Sequence, residues 1–139
     1  MAHKEVWRVE YEHPWSGGTL ATAGDLVFAG SGMGEVSAYK ADTGAKLWSS
    51  ETQAGVLAAP MTYEVNGEQY VAVEVGWGGA FGLAAGPLAV DSHVAGNMPR
   101  VLAFRLNGTD SLPAVVAMAP RTISSTPSGV TRWRSACTQ

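Results

Sequence analysis

The run A-Y-K-A-D-T-G-A-K-L-W at residues 38–48 constrains the fold more than any other part of the chain. Val36 to Tyr39 alternate as a strand does, and Asp42-Thr43-Gly44 then breaks them with a tight turn. Asp and Thr side chains bond their own turn backbone, and glycine takes positive φ without penalty. The chain resumes as a short strand ending on Trp48, whose indole is expected to bury a large surface beside the turn that aims it. Strand, polar turn, strand, indole is the unit of a β-propeller blade rather than a catalytic box.

The unit recurs. Trp7 lies 41 residues before Trp48, in E-V-W-R against K-L-W-S. L-V-F-A-G at 26–30 has a counterpart in Y-V-A-V-E-V-G at 70–76, and V-S-A-Y-K-A-D-T-G at 36–44 in V-L-A-F-R-L-N-G at 101–108. A period of about 40–45 residues with several short strands per unit is the pattern of propeller blades. The second copy carries an insertion between its strands, from Trp77 to Arg100.

The turns divide the chain further. Residues 4–12 alternate as a strand, with Val6, Trp7, Val9 and Tyr11 apolar. Thr19–Ala23 and Leu26–Gly30 are strands joined at Gly24-Asp25, and residues 35–40 and 45–50 flank the Asp-Thr-Gly turn. Together these give one four-stranded blade over about 18–50. A second begins at Ala59–Tyr63, turns at Asn66-Gly67, and continues at 69–75 and 100–106; Asn-Gly is a strong hairpin signal. The expected fold class is therefore all-β: about two antiparallel four-stranded blades over 1–110, a long loop at 77–99, and an irregular tail over 111–139. V-V-A-M-A at 115–119 has strand character, whereas the end reads as a disordered tail.

Bulk properties exclude several functions. A net charge of −3 with 15% charged residues leaves no basic stripe for nucleic acid. No run reaches the roughly 18 apolar residues that a membrane span requires. Met-Ala-His-Lys-Glu lacks the apolar segment of a signal peptide. The single cysteine, Cys137, permits neither an internal disulfide nor a cysteine zinc cluster. His3, His13 and His93 lack metal-ligand spacing among themselves, so no metal site is expected. Gly30-x-Gly32-x-Gly34 follows an apolar strand, as a dinucleotide loop does, but leads into strand alternation rather than a helix N-terminus that would hold a pyrophosphate.

Over residues 5–108 the chain resembles the C-terminal blades of quinoprotein alcohol dehydrogenases of the methanol/ethanol type, most closely the quinohaemoprotein branch. The resemblance rests on P-W-S-G-G-T-L-A-T-A-G-D-L-V-F-A-G at 14–30, the run 38–48, A-P-M-T-Y-E-V-N-G-E-Q-Y-V-A-V at 59–73 and G-W-G-G-A-F-G at 76–82. Lys40 departs from it, since the family's run usually has aspartate there. The resemblance implies an eight-bladed propeller that holds pyrroloquinoline quinone (PQQ) and calcium on its axis and oxidises primary alcohols in the periplasm. It also implies that the catalytic base, the calcium ligands and the disulfide lie on earlier blades, with no match here. No catalytic residue is expected in this chain, which by itself should be inactive on alcohols and bind neither PQQ nor calcium.

Two places map near the cofactor by the same resemblance. Trp15 corresponds to a tryptophan touching the edge of the quinone. The loop 76–81 corresponds to the wall of the substrate funnel, with Trp77 or Phe81 lining an apolar pocket. Such a wall would exclude water from hydride transfer and sort alcohols by size.

Two other functions stay open at this level. One is a stand-alone binding or assembly module on the blade scaffold. The other is a hydrolase, in its sharpest form a dimeric aspartic protease built on Asp42-Thr43-Gly44, with Leu83-Ala84-Ala85-Gly86 as its second element. Lys40 close before Asp42 argues against the protease, whose aspartate ends a strongly apolar strand. Finally, two blades do not close a ring. Their flanks expose apolar faces and unpaired edges, so self-association is expected.

Overall fold

In the computed structural model, residues 4–11, 16–76 and 99–114 are described. They form two antiparallel sheets and no helix. The first, in spatial order β1-β2-β3-β4, comprises Ser16–Ala21, Leu26–Ser31, Glu35–Lys40 and Lys46–Glu51. The second, in order β5-β6-β7, comprises Met61–Val65, Glu68–Val75 and Arg100–Arg105. This is the expected partial propeller, with three strands in the second sheet among the described residues. All but the last residue of the loop 77–99, and all of 115–139, fall outside them.

The turns are where their residues place them. Asn66 and Gly67 have φ of 54° and 79°, the paired left-handed conformation that matches the twist of a two-residue hairpin. Asp25 takes φ 57° between β1 and β2, a conformation that short polar side chains tolerate. Gly44 has φ 70°, and Gly44 N donates to Lys40 O at 2.9 Å to close the Asp-Thr-Gly turn. A bulge between Ala38 and Tyr39 follows from this turn and shifts the register against β4.

The two sheets are held together by the connector rather than by strand pairing. Residues 52–60 pass between them, and Thr52, Ala54 and Val56 are fully buried. Thr52 N donates to Gly34 O at 2.8 Å, Val56 N to Ser31 O at 2.9 Å, and Gly76 N to Gly55 O at 2.8 Å. The connector is thereby stitched to both sheets. Ala54 and Val56 join Val73, Val75 and Leu102 in the core, with Phe104 and Leu112 packed against it. Burying each of these valines is worth about 1.5–3 kcal/mol. Gly30 has no side chain because Val56 occupies that space: a Cβ there would overlap the valine.

Residues 4–11 differ from expectation. They alternate as read but belong to no sheet, because a strand exists only through a pairing partner and none of the described residues supplies one. They lie instead across the far flank of the first sheet.

Candidate functional site

Docking of the tryptophans revises the reading of residues 38–48. The indole on the Asp-Thr-Gly turn is not Trp48 but Trp7, from the preceding unit. Trp7 Nε1 donates to Ala41 O at 2.8 Å, and its ring stacks on Tyr39 with centroids 6.3 Å apart. A Cβ at Gly44 would come within 2.7 Å of Trp7 Cδ2, so the turn needs glycine for room as well as for φ. Trp48 instead reaches the next sheet and meets Phe104 edge-on at 5.1 Å, while remaining 39% exposed. Phe104 is the counterpart of Tyr39 in the repeat. Each indole thus seats on the aromatic of the unit that follows it. The spacing gave the repeat but not this direction, since it does not say which turn a ring reaches.

The same flank carries a polar cluster that the sequence reading missed. Glu35, Ser37 and Tyr39 alternate onto one face of β3, and that alternation was the available signal. Ser37 Oγ and Lys46 Nζ both donate to Glu35 Oε1. Partial burial alone would raise the Glu35 carboxyl, but the bonds from Lys46 and Ser37 hold it below its ordinary 4.5. Partial burial beside Tyr39, with the charge of Glu35 nearby, pushes the Tyr11 phenol up to about 12. Ser37 and Tyr39 are buried beneath this strap. The cluster is therefore a satisfied polar lining under residues 4–11, not a proton-transfer site.

Trp15, Trp77 and Phe81, the residues matched to the cofactor and substrate, lie outside the described residues. Their attachment points do not. Ser16 pairs with Ser31 in β1–β2. Ser31 O accepts from Val56 N, and Gly55 O accepts from Gly76 N. Ser16, next to Trp15, and Gly76, next to Trp77, are thus linked through successive backbone contacts at one end of the two sheets. Backbone pairing gathers the roots of both candidate segments there.

Other sequence candidates resolve plainly. Asp42 is exposed, and Lys40 Nζ donates to its Oδ2 at 2.8 Å, which holds the carboxyl below its ordinary value. A carboxylate tied to a lysine at the tip of a surface turn does not share a proton with a second carboxylate, and nothing here favours the protease reading. Gly30 lies within β2 and Gly34 leads into β3, as the rejection of a dinucleotide loop requires. Among the described residues no three His, Cys, Asp or Glu side chains gather to hold a metal ion, so they do not fit a calcium site. No helix among them is long and apolar enough to cross a membrane. A groove of about 480 Å³ opens between β4 and β7, lined by Ser50, Glu51, Gln53, Phe104 and Leu112 among others.

Comparison with known proteins follows the same lines. Residues 1–71 match the PQQ family described as the glucose/ethanol/alcohol dehydrogenase β-propeller domain. The chain is 47% identical over 110 residues to an alcohol dehydrogenase (quinone) dehydrogenase subunit of Acetobacter aceti, covering 79% of this chain and 15% of that protein. It is 45% identical over 131 residues to a quinohemoprotein alcohol dehydrogenase, ADH IIB, of Pseudomonas putida, covering 94% and 19%. The solved quinohemoprotein alcohol dehydrogenase ADHIIG of Pseudomonas putida superposes with a TM-score of 0.75 at 48% identity, over 82% of this chain and 16% of that one. That of Comamonas testosteroni gives 0.66 at 43% identity, over 79% and 16%. The chain therefore spans less than a fifth of the length of these relatives.

Proposed function

The chain belongs to the glucose/ethanol/alcohol dehydrogenase β-propeller family, and on that premise we propose that it serves as the later blades of a periplasmic PQQ-dependent oxidoreductase acting on primary alcohols. In the complete enzyme PQQ would accept the electrons, and calcium would act beside it as a Lewis acid. The role of these residues is to wall that site. Trp15 would touch the quinone edge, and Trp77 with Phe81 would line the entry for the alcohol's carbon chain. The observation that supports this reading is the chain of backbone contacts that joins Ser16 to Gly76 through Ser31, Val56 and Gly55. Two aromatic-bearing segments whose roots are joined through that backbone chain would wall one apolar site and keep water from it.

By itself the chain would not turn over alcohols, because the family resemblance puts the catalytic base and the calcium ligands on earlier blades, and among the described residues no three His, Cys, Asp or Glu gather to hold a metal ion. The test is a dye-linked alcohol assay with added PQQ and calcium, run beside a full-length relative. No alcohol-dependent dye reduction is expected from this chain, while the relative is active. Turnover by the chain alone would overturn the inactivity. In the full-length setting, a Trp15→Ala change that left PQQ affinity untouched would overturn the assignment of Trp15.

A further inference from the structure

Residues 55–58 of the connector touch the start of β1, the β2–β3 turn and the residue after β6, each time backbone against backbone. A Cβ at Gly17 would overlap Ala58 O and come within 2.9 Å of Val56 O, so β1 begins pressed directly on the connector. A Cβ at Gly55 would come within 2.9 Å of Gly32 O, which presses on the connector from the β2–β3 turn. Val56 N, donating to Ser31 O at 2.9 Å, ties the middle of the segment to β2. Gly55 O accepts from Gly76 N at 2.8 Å and so holds the end of the second sheet.

A side chain absorbs a small change of spacing by changing rotamer, whereas close-packed backbone has no such freedom. The connector cannot swing outward either, since Ala54 and Val56 are fully buried in the core. A displacement at Gly17 is therefore passed through residues 56–58 to Gly55, and from Gly55 O to Gly76.

We propose that residues 55–58 act as the spacer between the segments that bear Trp15 and Trp77, and that Gly17 and Gly55 are positioning residues that set how large an alcohol the site admits. The role in alcohol selection rests on the reading of Trp15 and Trp77 given above; the coupling of Gly17 to Gly76 stands without it. Neither glycine touches substrate. Each acts by having no side chain where the backbones meet.

Two experiments separate these parts. In the 139-residue chain, Gly17→Ala should speed hydrogen exchange of the Gly76 amide about 10-fold relative to the central amides of β6. General loss of stability would raise both rates together and leave their ratio alone. Should Gly17→Ala fail to fold, Gly18→Ala serves in its place, because a Cβ there meets only Ala59, at 3.2 Å from its Cβ. An unchanged ratio overturns the proposal, whatever the alcohols do. In the complete enzyme, Gly55→Ala (or Gly18→Ala, should that not fold) is compared with Trp77→Ala by kcat/KM for 1-hexanol over ethanol. Each should change that ratio ~10-fold, through KM rather than kcat. A change with Trp77→Ala alone removes the positioning role and leaves the site reading intact. No change with Trp77→Ala removes that reading, and the selection role with it.

Discussion

Gly44 and Gly67 share a left-handed backbone, with φ of 70° and 79°, but not their surroundings. Around Gly67 an added Cβ meets nothing within 4 Å, whereas at Gly44 it meets the Trp7 ring. Gly67→Ala should therefore cost only the left-handed penalty of about 1–2 kcal/mol. Gly44→Ala should cost that and a further ~1–3 kcal/mol for overpacking against the indole. Urea midpoints of the two variants would check the ranking, and equal losses would show that Trp7 yields freely. A second residue-level expectation concerns Glu35, whose carboxyl is held low in the folded chain, chiefly against the opposing effect of burial, by Lys46 and Ser37. A depressed folded pKa contributes stability above the ordinary 4.5 that is lost as pH falls through the folded value. With both side chains close to half exposed, the pair is worth no more than ~1 kcal/mol. In Glu35→Gln, the part of the acid-side fall in unfolding free energy that belongs to this carboxyl should vanish, while the curve near neutrality shifts by at most that amount.

At the scale of elements, all seven strands were legible because each is bounded by a residue with a local reason to turn: Asp25, Gly34, Gly44, Asn66-Gly67 and Asn107-Gly108. Local chemistry of that kind needs no knowledge of the rest of the fold. Residues 4–11 show where it ends. Their alternation is real, but strandness is a property of pairs, and no alternation states whether a partner is present. The direction of tryptophan docking was hidden for a similar reason: the repeat fixes what lies one unit apart, while the reach of a ring across units depends on how the sheets stack. Of the candidate site, the sequence names the aromatic segments only through family likeness, and they lie outside the described residues. What the fold adds is the joining of their roots through Ser31, Val56 and Gly55, which sequence distance conceals, since Ser16 and Gly76 are 60 residues apart.

At the scale of the whole molecule, cohesion between the described sheets runs through a buried connector, with Trp48 on Phe104 as a second contact. Gly30 and Val56 are the connector's tightest point, the glycine on the first sheet making room for a valine that belongs to the core of the second. Gly30→Ala should destabilise by about 1–3 kcal/mol through overpacking. Combined with Val56→Ala it should cost less than the two separate losses together, with a coupling of about 0.5–3 kcal/mol in a double-mutant cycle. Strict additivity in denaturant unfolding would mean that the sheets adjust independently and that the connector does not set their spacing. The forward seating of the indoles has a broader consequence. Because Trp7 rests on Tyr39 and Trp48 on Phe104, the architecture has a polarity, like a row of leaning dominoes. Shortening it from the two ends is not equivalent: loss of the downstream sheet leaves Trp48 with nothing to lean on, whereas loss of the first residues leaves an empty notch above Gly44.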